Sequence, residues 1–448
     1  MDLLNIKKGG VKMCVKFLRV LCAFLFFAVM VIPKSFADEA SRGNEIADLK
    51  AQVQGLMQRI EKLEAEQLNA KEESKKAKEE VAKIKETTQA AQAGRVDLAN
   101  TLSKLKIKGR AALGFFDSGK AGSYPAGSFE MPDAKLQFGF APDEVNTLVV
   151  RFNLNNATSQ SPLLDYFFLQ SKDFISALKD SPFSLSTRLG RFKLGFGEET
   201  WTDNPVEGIL PSNSAARVTA VDEGLEFAGK IKLEKFGLKP LGWVVSVSDG
   251  NSGVGSDSTA SKAFLGKLYY SPIEPLYVSG SYYNSGRLDS SSAEMSIAGV
   301  TSAIQSGMDW ERSVWEADAR YDFGKGKKPL EPALFSDSKA ILRLSYGQFK
   351  DDGNRTRSGN FGFVDGIYNL NKKFYAAGRY SFVDMNGDVT ATLNSVTANR
   401  YDRFSLGGGY RWSENTILKL SYDWNKISGP SVNDADDNLL SAVVATQF

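Results

Sequence analysis

The chemistry this chain offers comes from basic side chains spaced two apart. Lys106, Lys108 and Arg110 alternate with apolar or small neighbours, and single bases repeat the pattern at Lys135, Arg151, Lys230, Lys232 and Lys267. It returns at Arg320, Arg343, Lys373, Arg379, Arg403, Arg411 and Lys419. On the same faces the acids are Glu226, Glu316, Asp318, Asp322 and Asp423, so fifteen bases stand against five acids. Ammonium and guanidinium groups in such rows perform no covalent step. They concentrate anions, and rings of them select anions in a narrow passage. Those near strand ends would instead meet lipid phosphates or water.

Covalent chemistry is restricted by what is missing. The chain has no histidine, and its two cysteines are Cys14 and Cys22. Both lie in a segment that reads as a secretory signal peptide. Lys7, Lys8, Lys12, Lys16 and Arg19 precede the apolar run 20–32, and Ser35-Phe36-Ala37 supplies a small-x-small site, so cleavage is expected after Ala37. The apolar run is shorter than the roughly 18–20 residues of a membrane span. After removal of 1–37 neither thiolate nor imidazole is left for metal binding, haem attachment or a histidine base. No cofactor, metal site or nucleic-acid partner is expected. Residues 1–37 carry six Lys/Arg and one acid, leaving 49 bases, 52 acids and a net charge of −3. The basic excess on the alternating faces is therefore positional rather than compositional.

Those faces need strands to position them. In 416–426, Leu418, Leu420, Tyr422 and Trp424 alternate with Ile417, Lys419, Ser421, Asp423 and Asn425. In 403–412, Phe404, Leu406, Tyr410 and Trp412 alternate with Arg403, Ser405, Gly407, Gly409 and Arg411. The final stretch repeats the pattern in Leu440, Ala442, Val444, Thr446 and Phe448. Period-two alternation puts one set on each face of a strand. An apolar outer face, a polar inner face and aromatics near the strand ends mark a membrane β-barrel. A strand stopping on Phe448 resembles those of bacterial outer-membrane proteins, whose terminal aromatic belongs to the insertion signal.

Alternating runs bounded by turn residues predict sixteen antiparallel transmembrane strands. Their spans are 104–116, 134–140, 147–155, 163–170, 184–193, 223–233, 241–249, 262–270, 276–285, 313–323, 339–349, 360–369, 372–382, 401–412, 415–426 and 438–448. Alternation is broken in the fourth and twelfth. Connections after odd strands are mostly long, including 194–222, and several after even strands are short, such as 271–275 and 413–414. Long external loops and short periplasmic turns place both termini in the periplasm. The connection 171–183 is longer than that rule expects, and Ser171–Leu178 reads as a short helix.

Ahead of the strands, Ile46, Leu49, Val53, Leu56, Ile60 and Leu63 keep heptad spacing, which weakens at Gln67 and Ser74 and recovers at Val81 and Ile84. An α-helical coiled coil over 44–92 is expected. Three segments follow: signal peptide 1–37, periplasmic coiled coil 38–95, and an all-β barrel 96–448. Ile/Val at a with Leu at d favours two strands in parallel coiled coils.

The most distinctive local motif is Gly190-Arg191-Phe192-Lys193-Leu194-Gly195-Phe196-Gly197. It resembles the Gly-Arg-Phe-Lys-x-x-Phe-Gly segment of the phosphate-selective porin O/P family. The resemblance extends in architecture from about 44 to 448, with sharp identity confined to about 190–199. It implies an outer-membrane porin with an N-terminal coiled coil, assembled as a homotrimer. That count conflicts with the two strands favoured by the heptads. By analogy with general porins, the long connection after strand five would fold into the lumen. Arg188, Arg191 and Lys193 would then lead into the constriction, with Gly190 as a bulge that resets the alternation.

The resulting expectation is passive diffusion of small anions through the outer membrane of a Gram-negative bacterium. Phosphate, sulfate and organic acids fit equally well, as does a general anion pore. The expected lining is Arg188, Arg191, Lys193, Arg151, Arg320, Arg343, Arg379, Arg403 and Arg411. A second reading is a tether, in which the coiled coil reaches the cell wall and the barrel only anchors it in outer-membrane lipid. An open lumen separates the two, because a tether needs no conductance.

Overall fold

The computed structural model describes residues 104–448 apart from 156–162, 176–181, 200–203, 251–258, 290–294, 298–299, 301–309, 325–337, 354–355, 388–390, 394–395 and 430–435. The expected signal peptide and coiled coil lie outside the described residues.

Alternation does produce strands. They are β1 (Leu105–Ser118), β2 (Ser128–Phe140), β3 (Asn146–Asn153), β4 (Leu164–Lys172), β5 (Phe183–Lys193), β6 (Val221–Ile231), β7 (Leu241–Ser248) and β8 (Ala263–Ile273). The second half holds β9 (Leu276–Leu288), β10 (Trp310–Phe323), β11 (Ala340–Asp352), β12 (Arg357–Asn369), β13 (Phe374–Met385), β14 (Arg400–Arg411), β15 (Thr416–Ser428) and β16 (Leu439–Gln447). Each pairs with the next in sequence, and β16 pairs antiparallel with β1, giving a closed sixteen-stranded barrel. Closure leaves no strand edge, so backbone N–H and C=O groups are paired without water, as a hydrocarbon environment demands.

The expected faces are present. On β15, Leu420, Tyr422 and Trp424 are 57%, 37% and 43% exposed, whereas Lys419, Ser421 and Asp423 are buried. Outward aromatics pair across neighbouring strands, as in Trp315–Tyr346 and Phe404–Trp424. The seam is completed by Phe448. It exchanges two backbone hydrogen bonds with Gly109, at 3.1 and 2.9 Å. Its ring lies over Gly109, 2.2 Å from an ideal Cβ, so a larger residue there would displace the exposed ring.

Bulges account for two departures from regular alternation. β2 begins at Ser128 rather than 134, because Pro132 interrupts the alternation yet sits where the β1–β2 register shifts, between Ala112 and Gly114. A bulge leaves a residue out of the ladder, so proline's missing N–H costs nothing there. A second shift between Arg151 and Phe152 accounts for the irregular fourth strand. Ser171 and Lys172 continue β4, so no helix starts at Ser171.

The barrel is filled partly from within. After β5 the chain turns into the lumen, and the described part of 194–220 lays apolar side chains on the inner wall. Leu194, Phe196, Ala215 and Ala216 join one buried cluster with Phe192, Leu265 and Tyr283. Val206, Ile209 and Leu210 join another with Tyr375, Ile417 and Val443. At roughly 25 cal/mol per Å² of apolar area removed from water, this burial holds the inner loop against the wall.

Candidate permeation constriction

Register settles which bases face inward. Arg110 stands opposite Lys135 across β1–β2, and Gln137 stands opposite Lys108 and Arg151. Arg151 is in turn opposite Tyr166, a buried inward residue. Lys106, Lys108, Arg110, Lys135 and Arg151 therefore share the inner wall of β1–β3. Arg188 joins them from β5, opposite the buried Glu226 and 3.4 Å from its carboxylate.

This wall also holds acids that sequence reading missed. Asp133 pairs with Arg110 at 2.6 Å, and Asp165 pairs with Arg151 at 2.7 Å and Lys135 at 3.0 Å. Both acids sit at the two bulges, where alternation fails and the faces cannot be read. The guanidinium of Arg151 also lies 3.4 Å from the centre of the Tyr166 ring, which fixes its plane. Among the described residues Lys106 and Lys108 make no ion pair, so the wall keeps a positive balance.

Arg191 and Lys193 do not belong to this wall. The β5 register runs without a shift from Phe183 to Lys193, so Gly190 is not a bulge and the alternation is not reset. Arg191 stands opposite Phe167, which is 48% exposed on the outer face, and Glu223, to which it donates at 3.0 Å. Lys193 shares that side. Gly190 instead has φ 125°, and a Cβ there would meet the Phe167 carbonyl at 2.3 Å. The expectation that the pair leads into the lumen is corrected accordingly.

The remaining expected bases are inward but committed to other groups. Arg320 makes a paired bridge to Asp322 at 2.9 and 3.1 Å. Arg343 does the same with Asp365 at 2.8 and 2.6 Å. Arg411 donates to Asn369 at 2.6 Å. Arg379 and Arg403 reach the inner loop, donating to the carbonyls of Ser212 and Asn213, each at 3.0 Å. Lys373 and Lys232 are exposed beyond the strands rather than on the lumen wall.

Further donors secure the loop at both ends. Lys267 donates to the Gly197 carbonyl at 2.8 Å and to Glu198 at 3.0 Å. Fully on the other side, Lys419 donates to the carbonyls of Pro205, at 2.5 Å, and Gly208. Tyr375 donates to the Ile209 carbonyl at 3.1 Å, and Asn204 to Gln447 at 2.9 Å. The loop thus crosses from β5 to the β13–β16 wall. Because Gln447 stands opposite Arg110, Asn204 reaches the level of Arg110. Glu207, on the same turn, lies within the field of Arg110. Burial pushes the Glu207 carboxyl up, an effect partly offset by Arg110, a hydrogen bond from Asn204 and Lys419. The basic β1–β3 wall and the turn 204–213 thus meet the level of Arg110 from different sides of the barrel.

The fold and this inner loop define the class as a closed, internally constricted membrane β-barrel. No family model and no curated protein matches the sequence. Among solved structures, the outer membrane channel DcaP of Acinetobacter baumannii superposes with a TM-score of 0.50 at 12% identity, over 77% of this chain and 97% of that one. An anion-selective porin from Comamonas acidovorans gives 0.49 at 11% identity, over 77% and 99%. OmpF of Salmonella typhi in complex with daunomycin gives 0.48 at 14%, over 77% and 97%. The likeness to DcaP is one of fold.

Proposed function

We propose that the chain is a passive diffusion channel for small anions, with phosphate among them, in the outer membrane of a Gram-negative bacterium. The observation that carries this reading is the constriction. Lys106, Lys108, Arg110, Lys135, Arg151 and Arg188 face the passage against Asp133, Asp165, Glu226 and the loop's Glu207. Basic groups on a low-dielectric wall replace part of an anion's lost hydration and repel cations. The channel works as a homotrimer, with the heptads of 44–92 joining the copies on the periplasmic side and reaching toward the cell wall.

A charge-reversal comparison tests it. Lys108→Glu with Lys135→Glu changes the wall by four charges, whereas Arg191→Glu with Lys193→Glu makes the same change on the outer face. A unit charge at about 8 Å in water is worth about 0.5 kcal/mol, cut about threefold by screening over one Debye length. Four charges then amount to about 0.7 kcal/mol against chloride and the same in favour of potassium, or roughly a tenfold fall in the chloride-to-potassium permeability ratio for the wall variant. The outer-face variant is expected to keep the wild-type ratio. Equal effects of the two would refute the constriction described above.

A further inference from the structure

The inner faces of β14–β16 carry a patch of buried oxygen atoms outside the constriction. Ser405 stands directly opposite Asp423 across β14–β15, and Ser421 directly opposite Ser441 across β15–β16. Ser421 and Asp423 are two residues apart on one strand and so point the same way. Side chains directly opposite one another have Cβ atoms about 4.5–5.5 Å apart. The inner face of a closed barrel is concave, so inward side chains lean together rather than splay. The four groups therefore adjoin on one hollow of the wall. Ser405, Asp423 and Ser441 are 0% exposed and Ser421 is 2% exposed. Yet their five side-chain oxygens have no hydrogen-bond partner among the described residues, and they do not bond one another.

The bases nearby are engaged elsewhere. Arg403 donates to Asn425, Tyr401 and the Asn213 carbonyl. Arg379, opposite Ser405, donates to Asp365 and the Ser212 carbonyl. Lys419 holds the carbonyls of Pro205 and Gly208. The Tyr401 phenol lies within the fields of Asp423 and Asp437 as well as Arg403, so acids outnumber bases around it. A buried carboxylate with no donor is costly, and buried charges in proteins are paired or coordinate a cation.

The geometry points to a buried site for a monovalent alkali cation, held by the Asp423 carboxylate and the hydroxyls of Ser405, Ser421 and Ser441. Carboxylate and hydroxyl oxygens suit hard cations, and each hydroxyl keeps lone pairs for the ion while its hydrogen turns away. One carboxylate balances one unit of charge. Calcium takes about six to eight oxygens, commonly from several carboxylates. Among the described residues no three acids gather into a metal-holding group, which leaves a singly charged ion as the match. The inner loop adjoins the site. A Cβ built on Gly407 would meet the Ser421 Cβ and the Leu210 Cδ2, each at 2.9 Å. The ion thus ties β14, β15 and β16 together beneath the turn that Lys419 holds. It uses none of the cations of β1–β3, so it stands apart from the ion preference of the passage.

Heat stability of the full-length protein in detergent tests the site, read as the folded fraction by gel mobility. Protein dialysed free of alkali ions is heated in sodium chloride or in choline chloride of equal concentration, so chloride is constant and choline is too large for the site. The wild type is expected to unfold about 5 °C higher once sodium is roughly a hundredfold above its dissociation constant. Asp423→Asn keeps the side-chain shape without the charge and is expected to unfold at one temperature in both salts. Ser441→Ala removes one oxygen and leaves the charge, so it should need roughly tenfold more sodium for the same rise, and it decides the matter if Asp423→Asn does not fold. Ser246→Ala, at another buried serine on β7, is the control and should keep the wild-type sodium dependence. A wild type indifferent to sodium, or an Asp423→Asn or Ser441→Ala variant with the wild-type dependence, would overturn the site. So would an equal weakening in Ser246→Ala.

Discussion

Glu207 and Arg110 act on the passage with opposite sign, and their neighbourhood makes one of them titrate. Burial raises the Glu207 carboxyl, and Arg110 and Lys419 only partly offset this. A carboxyl with a raised pKa gives up its negative charge at a higher pH than a free glutamate. Acidification from neutral pH therefore removes a negative charge beside the basic wall, and anion preference should rise. Reversal potentials recorded at stepped pH should show that rise in the wild type, whereas Glu207→Gln should begin at the higher preference and stay flat over the range where Glu207 titrates. A variant that tracks the wild type would exclude Glu207 as the titrating group. At this scale the sequence was a fair guide to inward bases where alternation is regular, as at Lys108, Arg110 and Arg403. It failed at Asp133 and Asp165, which sit at bulges, and at Arg191, where a glycine of positive φ resembles a bulge without being one.

Strands and the inner loop differ in how far their contacts reach along the chain. A strand announces itself by period-two alternation within a dozen residues, which is why all sixteen are legible and only their ends move. The loop's placement rests on Tyr375–Ile209, Arg403–Asn213 and Lys419–Pro205, separated by 166, 190 and 214 residues. No local pattern encodes such pairs, and Lys419 and Arg379 read from sequence as lumen cations when they are loop anchors. Lys419→Met should leave the Pro205 and Gly208 carbonyls without their donor, at a cost of about 1–3 kcal/mol. Barrel closure does not depend on that contact. The variant should migrate with wild-type heat-modifiability on detergent gels while its single-channel conductance becomes larger and noisier. Unchanged conductance would show that the apolar contacts of Ile209 and Leu210 hold the turn by themselves.

For the whole molecule, charge distribution rather than total charge is the functional quantity. The chain beyond residue 37 carries a net −3, yet the constriction presents mostly cations because β1–β3 turn theirs inward. The barrel completes its own hydrogen bonds, so deletion of 38–95 should leave heat-modifiable barrels and lower only the yield of trimer. Mass measurement in detergent would show this, and loss of the folded barrel itself would contradict it. The most direct test is the reversal potential of the purified full-length protein in a bilayer under a KCl gradient at physiological ionic strength. The Debye length there is about 8 Å, so the wall's field spans a narrow passage. The expected sign is that of chloride carrying more current than potassium, with the preference shrinking in concentrated salt. A reversal potential of the opposite sign, with potassium the preferred ion, would contradict the assignment of the inner wall and the function drawn from it.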